Sequence, residues 1–371
     1  MEPRERVLAT LKHHIPDRIP IDLGGPANSI SKEVCENLLQ HLQLPRQKIF
    51  IWNPVQQLVD LPQSLLRNFN VDTRHVHAAS PKIMQSEQSS IYIDWLGLRY
   101  QQRGTIFSIE SPPLEAAKTH RDIDRFTWPK FRESWFTPAA PIAKSHSQAG
   151  YAVIADPSCS GIFEMGCMLM GWPRFLSAIL RNPELAAYLM DKALDLNISF
   201  WENFLSIIGD YTQIVIVGDD YGMESGPFMS PQLFQQLIHP RLAQLVKAIK
   251  RIAKVSVLLH SCGAIKPLIP SLIKADIDVL SPIQPTAKEM SATNLKEQFG
   301  ENLTFHGGID LHQLQTLSIQ KAIHFLKRQL GILGVNSGYI FSLSHTVVDS
   351  THLEYLQAAI QAASQFYYKK M

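Results

Sequence analysis

The sequence predicts an α/β chain folded as a closed (β/α)8 barrel of the TIM type, with an N-terminal extension and a β-hairpin insertion. Three observations carry this. Short apolar runs rich in β-branched residues alternate with longer helical patterns along the chain. A helix between two strands returns the chain to the same edge of the sheet, so the strands pair in parallel. About eight such runs over 371 residues suit a closed barrel better than an open doubly wound sheet. No G-x-G-x-x-G follows the first run, which removes the main dinucleotide-binding reading. With no repeat, low-complexity tract or Gly/Ser linker, residues 1–371 read as a single domain.

The strands fall at 18–24, 73–78, 151–157, 212–220, 255–262, 278–284, 303–308 and 338–345. The region 86–135 reads as an insertion, and its SSIYIDWLGLRYQQRGTIFSIE as a hairpin turning at Arg103-Gly104. The helices have clear starts. Asn182 caps a helix over 182–208, with Pro183 at its first position. Ser230-Pro231 opens a helix over 230–238 in the same way, and Pro240 breaks it from the next. A further helix spans 268–275. Ile319, Ala322, Ile323, Leu326 and Leu330 repeat with helical period over 318–330, and a helix over 352–368 closes the chain.

A hydrophobic fraction of 45% is ample for a core. Charged residues make up only 18% and the formal net charge is +2, which gives no pull toward nucleic acid or an acidic membrane surface. Cys35, Cys159, Cys167 and Cys262 are too few and too irregularly spaced for a disulfide framework, and they suit a reducing compartment. Cys159 and Cys167 match no standard zinc spacing and read as small packing residues. The first residues are charged and lack an apolar signal core, and no apolar run approaches the ~18 residues of a membrane span. The expectation is a cytoplasmic protein, monomer or homodimer, with a small-molecule substrate and neither nucleic acid nor membrane as partner.

A parallel barrel builds its active site at the C-terminal ends of the strands. Here those ends are polar: Gly218-Asp219-Asp220-Tyr221, His260-Ser261-Cys262-Gly263, Gln284, His306-Gly307-Gly308 and Ser344-His345. Residues two apart on a strand share a face, so His260 and Cys262 aim an imidazole and a sulfur at one point. Both are good zinc ligands. An isolated H-x-C is more often a packed cysteine beside a hydrogen-bonded histidine. A catalytic zinc also needs three protein ligands, and His345, on another strand end, is the best third. Of Asp219 and Asp220, one faces the cavity as a catalytic acid, base or ligand orienter. The other reading for this pair is a carboxylate held by helix N–H groups. Gln284, His306, Tyr221 and Glu224 are the substrate-binding candidates, and Asp310 reads as a helix cap.

The stretches RERVLATLKHHIPDRIPIDLGG, VGDDYGMESGPFMSPQLFQQLIHPRLAQLVKAIK and LLHSCGAIKPLIPSLIKADIDVLSPIQP, followed by LTFHGGID and GYIFSLSHTV, resemble the uroporphyrinogen decarboxylase superfamily. Within it they are most similar to the corrinoid-dependent methyltransferases of the methylcobalamin:coenzyme M type. The resemblance spans nearly the whole chain and implies a (β/α)8 barrel. It also implies zinc held by the His and Cys of H-x-C and by a second Cys after the last strand. These positions are His260, Cys262 and, by distance from Gly338-Tyr339-Ile340, His345. A histidine therefore stands where the family has cysteine, and the site carries one less negative charge. True uroporphyrinogen decarboxylases hold substrate carboxylates with an arginine-rich N-terminal loop. The matching residues 19–31, IPIDLGGPANSIS, contain no arginine.

The expected function is therefore zinc-dependent methyl transfer between a corrinoid, such as methylcobalamin on a separate carrier protein, and a thiol or similar small acceptor. Two alternatives stand beside it. One is a metal-free decarboxylase working through Asp219 or Asp220. The other is a non-catalytic subunit that binds a corrinoid or a thiol.

Overall fold

The computed structural model describes residues 1–26, 28–53, 55, 57–78, 91–103, 106–157, 160–350 and 353–368. A seven-stranded parallel sheet curls through Thr73–Val76, Ala152–Ala155, Thr212–Gly218, Ser256–His260, Val279–Ile283, Thr304–Ile309 and Tyr339–Leu343, each strand pairing with the next in sequence order. The eighth element is the segment predicted at 18–24. It bridges the two edges: Ile21 pairs in parallel with Phe341, and Asp72 N–H, just before the Thr73–Val76 strand, donates to Ile21 C=O at 2.8 Å. The barrel is of the TIM type.

That segment is reduced to a bridge, and the sequence explains why. Pro20 has no N–H to offer a ladder. The Ile21 N–H donates to the Asp72 carboxylate at 2.8 Å rather than to a neighbouring carbonyl. Asp72 is itself buried, and it accepts from Arg6 Nη1 at 2.6 Å and from Arg18 Nη1 at 2.7 Å. A side chain, clamped by two guanidinium groups, thus does part of the work of a strand.

Alternation along the strands separates two cores. Ala152, Ile154, Ile214, Ile216, Leu258, Val279 and Ile340 form a cluster of their own inside the barrel. Their neighbours Val153, Ala155, Val215 and Val217 join the larger core against the outer helices. Val7 belongs to the inner cluster and Leu11 packs on it. Both lie on the helix Pro3–Leu11, so the N-terminal extension plugs the barrel where its strands begin. Carried two residues further along the strands, the inward set turns polar: Asp156, His260, Ser281 and Ser342 follow the apolar layer, with Gly218 bare between them. The strand period alone lays a polar floor beneath the open mouth.

The helices predicted from caps are found as Pro183–Ile208, Pro231–Leu237, Ile269–Lys274, Ile319–Gly334 and Leu353–Ser364. Asn182 Oδ1 accepts from Leu185 N–H and Ser230 Oγ from Leu233 N–H, as their types predict. Pro240 does not simply break a helix; it sits in the first turn of the next one, His239–Ile252. The insertion is a three-stranded antiparallel sheet, Ile91–Ile93, Arg99–Arg103 and Ile106–Ile109, rather than a lone hairpin. The sequence reading missed its first turn, where Asp94 Oδ1 accepts from the N–H groups of both Leu96 and Leu98 at 2.9 Å and Gly97 takes a φ of +83°. Gly104, where the sequence reading sets the hairpin turn, and Cys159 lie outside the described residues. Cys167 is a free, buried thiol, as packing residues are. No helix among the described residues is long and apolar enough to cross a membrane.

Candidate active site

The mouth of the barrel holds a cavity of about 60 Å³ whose lining includes Asp22, His75, His260, Ser281 and His306. Its two sides differ. One carries metal-ligand types, the other a buried hydrogen-bonded network.

On the first side, Asp220, His260 and Cys262 converge, with one ligand atom from each lying within 4.8 Å of the others. His260 Nε2 is 3.6 Å from Cys262 Sγ and 3.7 Å from Asp220 Oδ1. A tetrahedral zinc with bonds of about 2.0–2.3 Å sets its ligand atoms roughly 3.3–3.7 Å apart, so the trio suits such an ion. Burial lowers the His260 pKa, with Asp220 opposing and His306 assisting, which keeps the imidazole in the neutral form that ligates. Burial, then Asp220, pushes the Cys262 thiol up, so an arriving metal must displace its proton. Nearby Glu164 is pushed up to about 8 by burial and then by Asp220 and Asp219; this corner gathers negative charge that a cation would relieve. The Cys262 turn is held from outside: Asp220 Oδ1 accepts from Cys262 N–H at 2.8 Å and Gln284 Oε1 from Gly263 N–H at 2.7 Å. Gly263 takes a φ of +87°, and a Cβ there would meet the Gly222 carbonyl carbon at 2.5 Å.

The other predicted residues are placed as follows. His345 is not brought to this group. Its ring stacks on His312 with centroids 4.6 Å apart, and its Nε2 lies 3.7 Å from Asp310 Oδ1. Its loop runs beside the helix Leu311–Gln315, which Asp310 caps as expected, and this carries the ring to the neighbouring strand end. Asp219 is the carboxylate held by helix N–H groups. It accepts from Phe163 and Glu164 N–H at 2.9 and 2.7 Å and from Tyr221 Oη at 3.0 Å. The helix Ile162–Met170 begins at Gly161, which has no side chain to cap it, and Asp219 supplies the cap from another strand. Burial raises the Asp219 pKa to about 7 against those three donors. Asp219→Ala should lower stability by about 1–2 kcal/mol through fraying of that helix, measurable by urea unfolding with an unchanged m-value.

Tyr221 is fully buried against Phe163 and Phe234 and is spent on Asp219, so it faces no substrate. Glu224 is exposed on the small hairpin formed by Gly222–Met223 and Gly226–Pro227, away from the cavity. Gln284 touches the Cys262 turn. His306 does line the cavity.

Apart from His306, the second side of the cavity was missed from sequence. Asp22, 1% exposed, accepts from four donors: His75 Nε2 at 2.9 Å, His306 Nε2 at 2.8 Å, Asn28 Nδ2 at 2.6 Å and the Thr73 hydroxyl. Across His75, Nδ1 lies 2.8 Å from Asp156 Oδ1. Flanked by two carboxylates, the His75 imidazolium is held up to about 10 although burial opposes it. Asp22 is held well below the usual carboxylate range by His75 and His306, again against burial. The signal was available: His75 and His77 in TRHVHA share a strand face as His260 and Cys262 do, and Asp22 and Asp156 end apolar runs.

With this geometry in place, comparison with known proteins decides the family. The uroporphyrinogen decarboxylase (URO-D) family matches residues 98–366, well over half the chain. The chain belongs to the URO-D family. Among solved structures it is similar to a methyltransferase from Methanosarcina mazei, at 16% identity and a TM-score of 0.66, covering 98% of this chain and 99% of that one. At that identity the likeness establishes the shared fold. A GH113 β-1,4-mannanase aligns at 10% identity and a TM-score of 0.41, over 94% of this chain and 99% of that one. No curated protein matches in sequence.

Proposed function

We propose that this URO-D family member is a methyltransferase that moves a methyl group between a corrinoid and a thiol or similar small acceptor, with zinc held by His260, Cys262 and Asp220. The observation that carries the reading is the convergence of those three side chains at the edge of the cavity. When bound there, zinc would lower the pKa of an acceptor thiol so that a nucleophilic thiolate exists at neutral pH. The chain's own residues do the rest. Gln284 and Asp220 fix the Cys262 turn, and the Asp22 network shapes the wall facing the metal corner. The cavity is small, about 60 Å³. It admits a methyl group and a sulfur, not a macrocycle, so the corrinoid sits above the mouth on a separate carrier protein.

The metal-free decarboxylase is the competing reading, and the family's name favours it. Two observations weigh against it. Asp219 is committed to capping a helix, and Arg6 and Arg18, the arginines bordering the 19–31 segment, are tied to Asp17 and Asp72. Methylcobalamin offered with a panel of small thiols separates the readings. Thiol-dependent demethylation, followed by the corrin absorbance, is expected with zinc-loaded protein. Tight corrinoid binding without turnover for any thiol would instead mark a binding subunit. Absence of demethylation, with release of CO2 from a carboxylate substrate that survives Cys262→Ala but not Asp220→Asn, would mark the decarboxylase-type site.

A further inference from the structure

An unbroken file of side chains joins the cavity to the outer surface. Asp22 lines the cavity, and its Oδ1 lies 2.9 Å from His75 Nε2. His75 Nδ1 lies 2.8 Å from Asp156 Oδ1, and Asp156 Oδ2 lies 3.0 Å from His77 Nδ1. His77 Nε2 is 3.3 Å from Asp60 Oδ1, and the Asp60 side chain is 48% exposed. Trp52 stacks on His77 at 4.3 Å between ring centroids and holds that ring in line. Every member is two-ended: an imidazole has two nitrogens and a carboxylate two oxygens, so each can take a proton on one atom while another faces the next member. The donors that merely orient Asp22, the Asn28 amide and the Thr73 hydroxyl, lie off the file.

We infer that His75 is a buried proton store, coupled to the cavity through Asp22 and to solvent through Asp156, His77 and Asp60. In the resting state His75 is an imidazolium between two carboxylates. A proton released in the cavity is taken up by the Ser281 hydroxyl as it passes its own to His306 Nδ1, 2.8 Å away; His306 gives its Nε2 proton to Asp22 Oδ2, while Oδ1 still accepts from His75 Nε2–H. With one counter-charge gone, His75 gives its Nδ1 proton to Asp156, which passes one by way of His77 to Asp60 and water. One proton has entered and one has left, only N–H and O–H bonds have changed, and the charge of the walled-in cavity is unaltered. When the mouth opens, Asp22 returns its proton through His306 and Ser281, and His75 recharges from the surface. The groups facing His75 are Asp22 and Asp156, with His306 beyond Asp22; the next residue on the strand, Arg74, stacks instead over Tyr151 at 3.6 Å. The inference concerns the proton of whatever reaction the cavity hosts, so it stands or falls apart from the methyl-transfer reading.

The test needs neither metal nor turnover. In protein labelled with ¹⁵N-histidine, both ring N–H groups of His75 should be visible at neutral pH, and solvent exchange of its Nδ1–H is read by saturation transfer. His77→Gln keeps an amide donor beside Asp156 but cannot pass a proton on. We expect it to slow that exchange at least tenfold. Asp60→Asn, at an exposed position that leaves the fold intact, should slow it in the same direction. A network that only braces the barrel gives the opposite sign: loosening it leaves exchange unchanged or makes it faster, and either result overturns the proposal.

Discussion

Cys262→Ser is expected to release the metal and abolish methyl transfer while leaving the fold intact. Zinc content should fall from about one per chain to below a tenth, because a hydroxyl does not replace a thiolate as a soft ligand. Activity should drop by about a thousandfold or more, since the metal's effect on the acceptor thiol is lost altogether. Circular dichroism and the unfolding midpoint should barely move, because Cys262 is only partly buried and its turn is held by Asp220 and Gln284 through backbone N–H groups. Two companions identify the third ligand. Asp220→Asn should lose most of the metal, because it removes a charged oxygen 3.7 Å from His260 Nε2. His345→Ala should keep it, because that ring stacks on His312 outside the trio. Metal analysis of the purified proteins decides the matter. If wild-type protein, folded and purified without chelator, holds no zinc and takes none up, the transferase reading is wrong. If His345→Ala loses the ion and Asp220→Asn retains it, the ligand set is the one the family resemblance implies.

The barrel was legible in the sequence because its signals are local and periodic. Seven of the strands and the capped helices rest on apolar runs, Asn182, Ser230 and the prolines, and each is read from a handful of adjacent residues. The eighth strand shows where that reading stops. Residues 18–24 look like a strand, yet the ladder is completed by the Asp72 side chain, a partner 51 positions away from Ile21 that no window contains. The site divides in the same way. His260 and Cys262 meet because they are two apart on one strand. Asp220 joins them only because the parallel register sets Gly218 beside His260, and choosing between adjacent aspartates required knowing that a glycine at 161 leaves a helix uncapped. Asp22, His75 and Asp156 were visible as residues but not as a unit, since their link is a lateral contact across three neighbouring parts of the barrel. His345 is the converse case: it follows its own strand end, but its ring stacks on His312 of the adjacent helix.

The pH dependence of stability should carry the mark of the buried histidine. His75 has a folded pKa held up to about 10 against an ordinary 6.5, so its contribution is fully present below pH 6.5 and is lost as pH rises through about 10. Its neighbour behaves oppositely. The Asp22 carboxyl is depressed below its ordinary 3.8, so its contribution is present above that value and vanishes in acid. Glu164 and Asp219, raised to about 8 and about 7, resist ionisation in the folded state and also withdraw stability as pH rises, but in a lower window, between their ordinary values and those raised ones. The unfolding temperature should therefore fall in two overlapping stages, the earlier one running from the acid side up to about pH 8. The later stage, from about pH 8 to 10, belongs to His75 alone among these groups. Breaking a buried, hydrogen-bonded ion pair typically costs roughly 3–5 kcal/mol, which for a chain of 371 residues is a shift of about 4–6 °C. His75→Gln should start lower by a similar amount, because it strands Asp22 and Asp156 without their shared cation, and should then decline less than wild type across pH 8–10. Calorimetric scans of both proteins at closely spaced pH values measure this. A wild-type midpoint that falls no more than that of His75→Gln from pH 8 to 10 would mean that His75 is neutral in the folded protein and that the charge relay drawn through it does not operate.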